Sequence, residues 1–194
     1  MNILWVNSSA RQQGSDSRAL GAQLVDKFQQ SGVANICQRD LNNDLHILDD
    51  EFLQAAYLPS HDRSPSQVLK LKMSDILVQE LKNCDALILT LPMYNFNIPA
   101  SLKIWQDLVM REGQTFKTHA TGIKGLLNGK KAYIITTTGG VAHTSADYLL
   151  KKLTRLFLNG LGIVDQTYIY ADNLAYDRQK NLDKAQTQIA ELKL

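Results

Sequence analysis

The chain is poor in cysteine. Only Cys37 and Cys84 occur. They form no CxxC and have no histidine at metal-ligand spacing, so neither a disulfide framework nor a metal site is read from them. Both are expected to be reduced, buried thiols of a cytoplasmic protein. An excess of either charge is also missing. The formal net charge is +2 over 194 residues, with the signs well mixed, which argues against a nucleic-acid or membrane surface. The densest basic group, Lys151-Lys152 with Arg155, sits beside an apolar stripe and reads as a solvated helix face. The longest apolar stretch, Ala86 to Pro92, is far too short to span a membrane. The segment Met1 to Asn7 is apolar but lacks a basic n-region and a cleavage site, so it reads as a strand. No linker rich in proline, glycine or serine divides the chain, and no internal repeat is visible. A single domain over residues 1–194 is therefore expected. Nucleophile and zinc signatures, G-x-S-x-G and H-E-x-x-H, are absent as well.

What is present is an alternation. The hydrophobic fraction is 44% and the charged fraction 21%, enough apolar mass for a sizeable core. Five short apolar runs stand out: Asn2–Asn7, Val33–Arg39, Ala86–Leu91, Ala132–Thr136 and Thr167–Ala171. Several are apolar throughout, as parallel strands covered on both faces are. Helical spacing fills the gaps. Leu20, Leu24, Val25 and Phe28 follow the N-cap types Ser15, Asp16 and Ser17. Val68, Leu71, Ile76 and Leu81 mark a second helix. Pro99 opens a third at its first turn, lined by Leu102, Trp105, Leu108 and Val109. Leu149, Leu150, Leu153, Leu156, Phe157 and Leu161 form a fourth that stops near Gly162. Residues from Gln179 to Leu194 form a polar fifth. The stretch Leu41–Ser64 is long for a connection and is expected to be a partly ordered insertion. This order predicts an α/β three-layer sandwich of the flavodoxin-like type. Its five-stranded parallel sheet, in order 2-1-3-4-5, has helices on both faces.

In such a sheet, ligands bind beyond the carboxyl ends of the strands where the order reverses. Three loops lie there. After the first strand comes Ser8-Ser9-Ala10-Arg11-Gln12-Gln13-Gly14-Ser15-Asp16-Ser17, leading into a helix N-terminus. Free N–H groups and the helix dipole favour a phosphate there, with serine hydroxyls as further donors. A plain serine-rich cap with no ligand is the competing reading. A carboxylate facing a phosphate would repel it, so Asp16 is expected to point outward or cap the helix. After the third strand comes Pro92-Met93-Tyr94-Asn95-Phe96-Asn97-Ile98-Pro99. Two aromatics and two amides suit a large polarisable ring with polar edges. After the fourth comes Thr136-Thr137-Thr138-Gly139-Gly140-Val141-Ala142-His143, whose paired glycines let the backbone approach a ligand closely. His143, like His46, His61 and His119, has no evident partner and reads as a surface histidine.

At these loops the sequence resembles the FMN-dependent NADH-azoreductase family, within the flavodoxin-like NAD(P)H:quinone oxidoreductase group. The Pro92–Pro99 segment with Leu102-Lys103 is similar to the family's signature. Gly113-Gln114-Thr115-Phe116, Gly125-Leu126, Gly129-Lys130-Lys131, Asp40-Leu41 and Ile47-Leu48-Asp49 extend the likeness over nearly the whole chain. The resemblance implies that Ser9, Ser15, Asp16 and Ser17 hold the phosphate and ribityl chain of FMN. It places Met93, Tyr94, Asn95 and Phe96 around the isoalloxazine ring. Thr137, Thr138, Gly139 and Gly140 would meet its polar edge. It further implies a homodimer with FMN sites at the interface, NADH or NADPH as donor, and quinones and azo compounds as acceptors. Donor and acceptor would take turns at one site in a ping-pong hydride exchange, with no protein nucleophile and no metal. One departure stands out. The family often has serine-arginine before the paired glycines, and here Thr137-Thr138 replaces it, which bears on flavin potential and substrate choice.

The other nucleotide motifs fail on context. Gly160-Leu161-Gly162 follows a helix and lacks the third glycine of a dinucleotide fingerprint, and Gly129-Lys130-Lys131 has no Ser/Thr after the lysine. A phospho-receiver would need acidic residues where Asn7-Ser8 and Pro92-Met93 stand. A flavodoxin-type electron carrier is the remaining alternative. Such carriers tend to be strongly acidic, and this chain is slightly basic.

Overall fold

The fold is that of a computed structural model, which describes residues 1–32, 35–43 and 45–194. Five parallel strands form the main sheet: β1 (Asn2–Asn7), β2 (Asn35–Asp40), β3 (Ala86–Pro92), β6 (Lys131–Thr137) and β7 (Asp165–Ala171). Between β3 and β6 the chain adds an antiparallel hairpin, β4 (Phe116–His119) and β5 (Gly122–Gly125), which forms a sheet of its own. The order of the main sheet is β2-β1-β3-β6-β7. The expected order 2-1-3-4-5 is therefore corrected to 2-1-3-6-7, because the fourth and fifth strands of the chain lie outside the main sheet. The hairpin is short and mostly exposed, so it leaves no apolar run to read. The second expected strand began at Val33, which lies outside the described residues; the described strand starts at Asn35.

The helices are α1 (Asp16–Gln30), α2 (Asp50–Tyr57), α3 (Pro65–Asn83), α4 (Ala100–Val109), α5 (Leu150–Leu161) and α6 (Arg178–Glu191). Alternation along the strands divides the core in two. Leu4, Val6, Leu87, Leu89 and Ile134 meet side chains of α3, α4 and α5 on one face. Ile3, Ile88, Tyr133, Ile135 and Ile169 meet those of α1 and α6 on the other. Each strand residue thus faces one helical layer or the other, as its period of two requires. Trp105 fills the first core and meets Phe157 edge-on at 5.6 Å, while Phe28 and Tyr133 do the same in the second at 5.3 Å.

Helix ends are set by side chains. Ser15 caps α1, Asp49 caps α2, and Ser64 with Gln67 closes a capping box on α3, whose first residue is Pro65. Gly162, at φ 92°, ends α5. The insertion from Leu41 contains α2 and the 3-10 turn Ser60–Asp62, and anchors through Leu41 and Phe52. Three details depart from expectation. Pro99 stands at the cap of α4 rather than inside it. Val68 and Ile76 of α3, and Leu149 and Leu156 at α5, are exposed; α3 turns Leu71, Leu77, Val78 and Leu81 inward. Cys37 is exposed, because β2 is an edge strand, while Cys84 is buried as expected. Burial pushes the Cys84 thiol up to about 11, so it stays protonated. Among the described residues no helix is long and apolar enough to cross a membrane.

Candidate functional site

β1 and β2 end level with each other, and β3, β6 and β7 end level two residues further on. Asn7 pairs in register with Asp40 and Thr90, Pro92 with Thr137, and Thr137 with Ala171. At this edge the interior turns polar. Asn7, Ser8, Ser9, Thr90, Thr136, Thr137 and Thr138 are all buried. Buried hydroxyls are costly unless bonded, and here they bond across strands. Thr90 Oγ1 donates to Asn7 Oδ1 at 2.8 Å, and Ser8 Oγ donates to the Thr90 carbonyl at 2.8 Å. Asn7 Nδ2 is an exception: buried, with no hydrogen-bond partner among the described residues.

Past β1 the chain makes a hydroxyl cluster. Gly14, at φ 64°, turns it into α1. Ser15 Oγ caps the helix and donates to Ser9 Oγ at 2.9 Å, with Ser17 Oγ 3.2 Å away. Tyr94, from the loop after β3, reaches into the same cluster. Its phenol oxygen accepts from the Ala10 N–H at 3.1 Å and lies 3.3 Å from Ser9 Oγ. Four hydroxyls therefore converge on the positive end of α1, an arrangement suited to a phosphate. Asp16 turns to α6, where its carboxylate pairs with Arg178. Arg11 is exposed.

Sequence reasoning missed Arg18. Its guanidinium grips Asp40 through two bonds of 2.7 and 3.0 Å and donates to the Ser9 carbonyl at 2.8 Å. Asn42 Nδ2 donates to that carbonyl too, at 2.6 Å. Burial tends to raise the Asp40 carboxyl, but the Arg18 and Asn42 bonds outweigh it and hold it below the usual range. The serine loop is thus clamped from behind. The readable signal was Asp40, a carboxylate closing a strand level with Asn7.

The loop after β3 is a tight reversal. Tyr94 and Asn97 exchange backbone hydrogen bonds of 3.0 Å, and the two residues between them, Asn95 (φ 50°) and Phe96 (φ 65°), are both left-handed. Asn tolerates that region; for Phe it costs on the order of 1 kcal/mol or more. Phe96 is 62% exposed on this loop. Met93 is half-buried and ties this loop to the next, its N–H donating to the Thr137 carbonyl at 2.8 Å.

In the loop after β6, Thr137 and Thr138 are buried, whereas Gly139 and Gly140 are exposed. The Thr138 hydroxyl is consumed locally, donating to the Val141 carbonyl and accepting from the Asn173 N–H. Gly139 accepts from the Ala175 N–H at 2.8 Å, so the segment after β7 supports this loop. A side chain on Gly139 would meet open space, leaving its backbone approachable. His143 lies at the surface, as expected, but it is not without a partner. Its backbone N–H and its ring Nδ1 both lie 2.7 Å from Asp172 Oδ2, and its ring stacks on Tyr170 at 4.2 Å. Asp172 follows β7, 29 residues on, so the pairing exists only in the fold. A carboxylate oxygen facing Nδ1 favours the proton on Nδ1.

The expected residues therefore gather at one end of the sheet: a hydroxyl cluster for an anion, and an apolar-and-amide lip with exposed backbone for a flat ring. A cavity of about 860 Å³ lies elsewhere, against α2 and α3 beside His46, Leu69 and Met73, and contains none of them.

Residues 1–192 match the family described as having a flavodoxin-like fold. The chain belongs to the flavodoxin-like family. Among flavodoxin-like relatives, it is 38% identical over 189 residues to the FMN-dependent NADH:quinone oxidoreductase 1 of Hahella chejuensis, covering 97% of this chain and 93% of that one. It is 39% identical over 191 residues to the protein of the same name from Jannaschia sp., covering 98% of each. Among solved flavodoxin-like structures it is similar to an FMN-dependent NADH-azoreductase from Bacillus anthracis in complex with FMN. The TM-score there is 0.87 and the identity 25%, over 98% of this chain and 97% of that one.

Proposed function

We propose that this protein is a single-domain FMN-dependent NADH:quinone oxidoreductase that also cleaves aromatic azo compounds. The observation that carries the reading is the convergence of three loops. Hydroxyls of Ser9, Ser15 and Ser17 meet Tyr94 at the N-terminus of α1, while Met93, at the base of the Tyr94–Phe96 reversal, bonds Thr137, two residues before the exposed Gly139-Gly140 backbone. FMN has that bipartite chemistry, a phosphate at one end and a flat ring with polar edges at the other. Ser9, Ser15 and Ser17 would hold its phosphate and ribityl chain, with Asp16 keeping its charge on Arg178. Met93, Tyr94, Asn95 and Phe96 would hold the ring, and the segment Thr137 to Gly140 its polar edge through backbone donors. When bound, FMN supplies the hydride chemistry. The protein's own work is to position the partners and keep the lip open to flat molecules, so that donor and acceptor use it in turn. Names of relatives at 38% and 39% identity support NADH as donor and quinone as acceptor. The azo activity draws on the structural neighbour. We also take the active form to be a homodimer with its sites at the interface.

Anaerobic stopped-flow absorbance tests this. FMN-loaded protein is mixed with NADH or NADPH, then with p-benzoquinone or an azo dye. The expected outcome is fast bleaching of the flavin and rapid return of colour with the acceptor. Bound FMN that neither nicotinamide bleaches would instead make the protein a flavodoxin-type electron carrier.

A further inference from the structure

The basic group Lys151, Lys152 and Arg155 lies exposed on α5, as a solvated helix face does, and it also borders two cavities. Lys151, Arg155 and Asn159 follow one another at four-residue spacing on α5 and form a row down it. A cavity of about 520 Å³ lies on one side of that row, reaching His143, Tyr148 and Leu156. A second, of about 480 Å³, lies on the other, against Val164, Gln166, Tyr168 and Tyr170 of the edge strand and its approach. Both cavities are open to the same three side chains. None of the three cations makes an ion pair among the described residues, although ten other ion pairs form there. Lys151 Nζ rests instead over the Tyr168 ring, 5.3 Å from its centre. Tyr168 and Tyr170 lie 14° from parallel, with His143 stacked on Tyr170, so the wall is aromatic over three rings. His143, which lines the first cavity, engages the Asp172 carboxylate just after β7. Leu156 and Val164 offer exposed apolar surface at the rims.

We propose that this cleft between α5 and β7 binds a planar aromatic anion, a ring bearing sulfonate, carboxylate or phosphate. Unpaired cations call for an anion, and Arg155 presents a planar fork suited to its oxygens. The tyrosine wall and the apolar rims call for a flat ring attached to it. A neutral ring leaves the cations unsatisfied; a bare inorganic anion leaves the apolar rims at Leu156 and Val164 uncovered. Two sources share this chemistry: an anionic aromatic acceptor, or the adenylate half of a dinucleotide donor.

The test is calorimetric titration of the purified full chain with naphthalene-2-sulfonate and, separately, with AMP, using neutral 2-naphthol as control. At least one anion is expected to bind, and Arg155→Glu to weaken it about tenfold or more, while Arg155→Lys keeps most of the affinity. Binding confined to the sulfonate assigns the cleft to acceptors; AMP binding with the same sensitivity assigns it to the dinucleotide. Should Arg155→Glu lose native circular dichroism, Lys152→Glu serves the same purpose. The proposal is overturned if neither anion binds, if 2-naphthol binds as well as they do, or if charge reversal leaves affinity unchanged. The titration involves no turnover, so its failure leaves the redox reading standing.

Discussion

Tyr94 joins two loops through one oxygen, and a single-atom change isolates that role. Tyr94→Phe removes the acceptor of the Ala10 N–H and the neighbour of Ser9 Oγ, while keeping the ring. A hydrogen bond of this kind contributes about 1 kcal/mol net, near a fivefold change in an equilibrium constant. We expect FMN affinity, read by flavin fluorescence titration, to fall about 3- to 10-fold with the fold unchanged. Unaltered affinity would mean that the phenol merely closes the loop. Asp172 offers a second test. Burial works to raise its carboxyl, but the two hydrogen bonds from His143 and the charge of that ring outweigh it, so it titrates below the usual carboxylate range. A depressed folded value means that its contribution is present above the unfolded value of about 3.9 and is lost as pH falls through the folded one. Denaturant unfolding should therefore show Asp172→Asn less stable by about 2 kcal/mol at pH 7, with the gap closing toward pH 3. A gap as large at pH 3 as at pH 7 would place the effect outside this carboxylate.

At the scale of elements, the hairpin β4–β5 is held by a backbone contact that tolerates no side chain. A Cβ on Gly125 would stand 1.9 Å from the Gly162 nitrogen and 2.1 Å from the Leu161 carbonyl carbon. Both are backbone atoms, so the end of α5 or the hairpin must shift. We expect Gly125→Ala to destabilise the protein by about 3 kcal/mol and to lower Tm by about 6–12 °C, measured by calorimetry; an unchanged Tm would show that the contact is loose. This element was illegible beforehand because its strands are short, exposed and polar. The central strands β1, β3 and β6 were legible for the opposite reason: they are mostly buried, β3 at every residue, and apolar runs of that kind have few other uses. On α3 both sides carry apolar residues, and periodicity alone put Val68 and Ile76 inward when Leu77 and Val78 face the core. The three loops of the candidate site were readable because strand ends locate them. Arg18, with Asp40, and His143, with Asp172, depend on partners 22 and 29 residues away and became visible only once the strands were in register.

On the scale of the whole molecule, the candidate site takes one loop from each of β1, β3 and β6, adjacent strands at the centre of the sheet. Those strands are followed by α1, α4 and α5, from both helical layers, so a ligand that bridges the loops ties the layers together. Such a ligand binds the folded chain and has nothing to hold once the strand ends separate. At a concentration 100 times its dissociation constant it adds about 2.7 kcal/mol to stability. For a chain of this size each kcal/mol moves Tm by about 2–4 °C. Saturating FMN should thus raise Tm by about 5–10 °C over the stripped protein in differential scanning calorimetry, with unfolding still a single transition. Tyr94→Phe should show a smaller rise at the same FMN concentration, because its dissociation constant is larger. If FMN leaves Tm where it was, or splits the transition in two, the ligand does not join the three loops. The phosphate-like cluster at α1 would then be only a serine-rich helix cap.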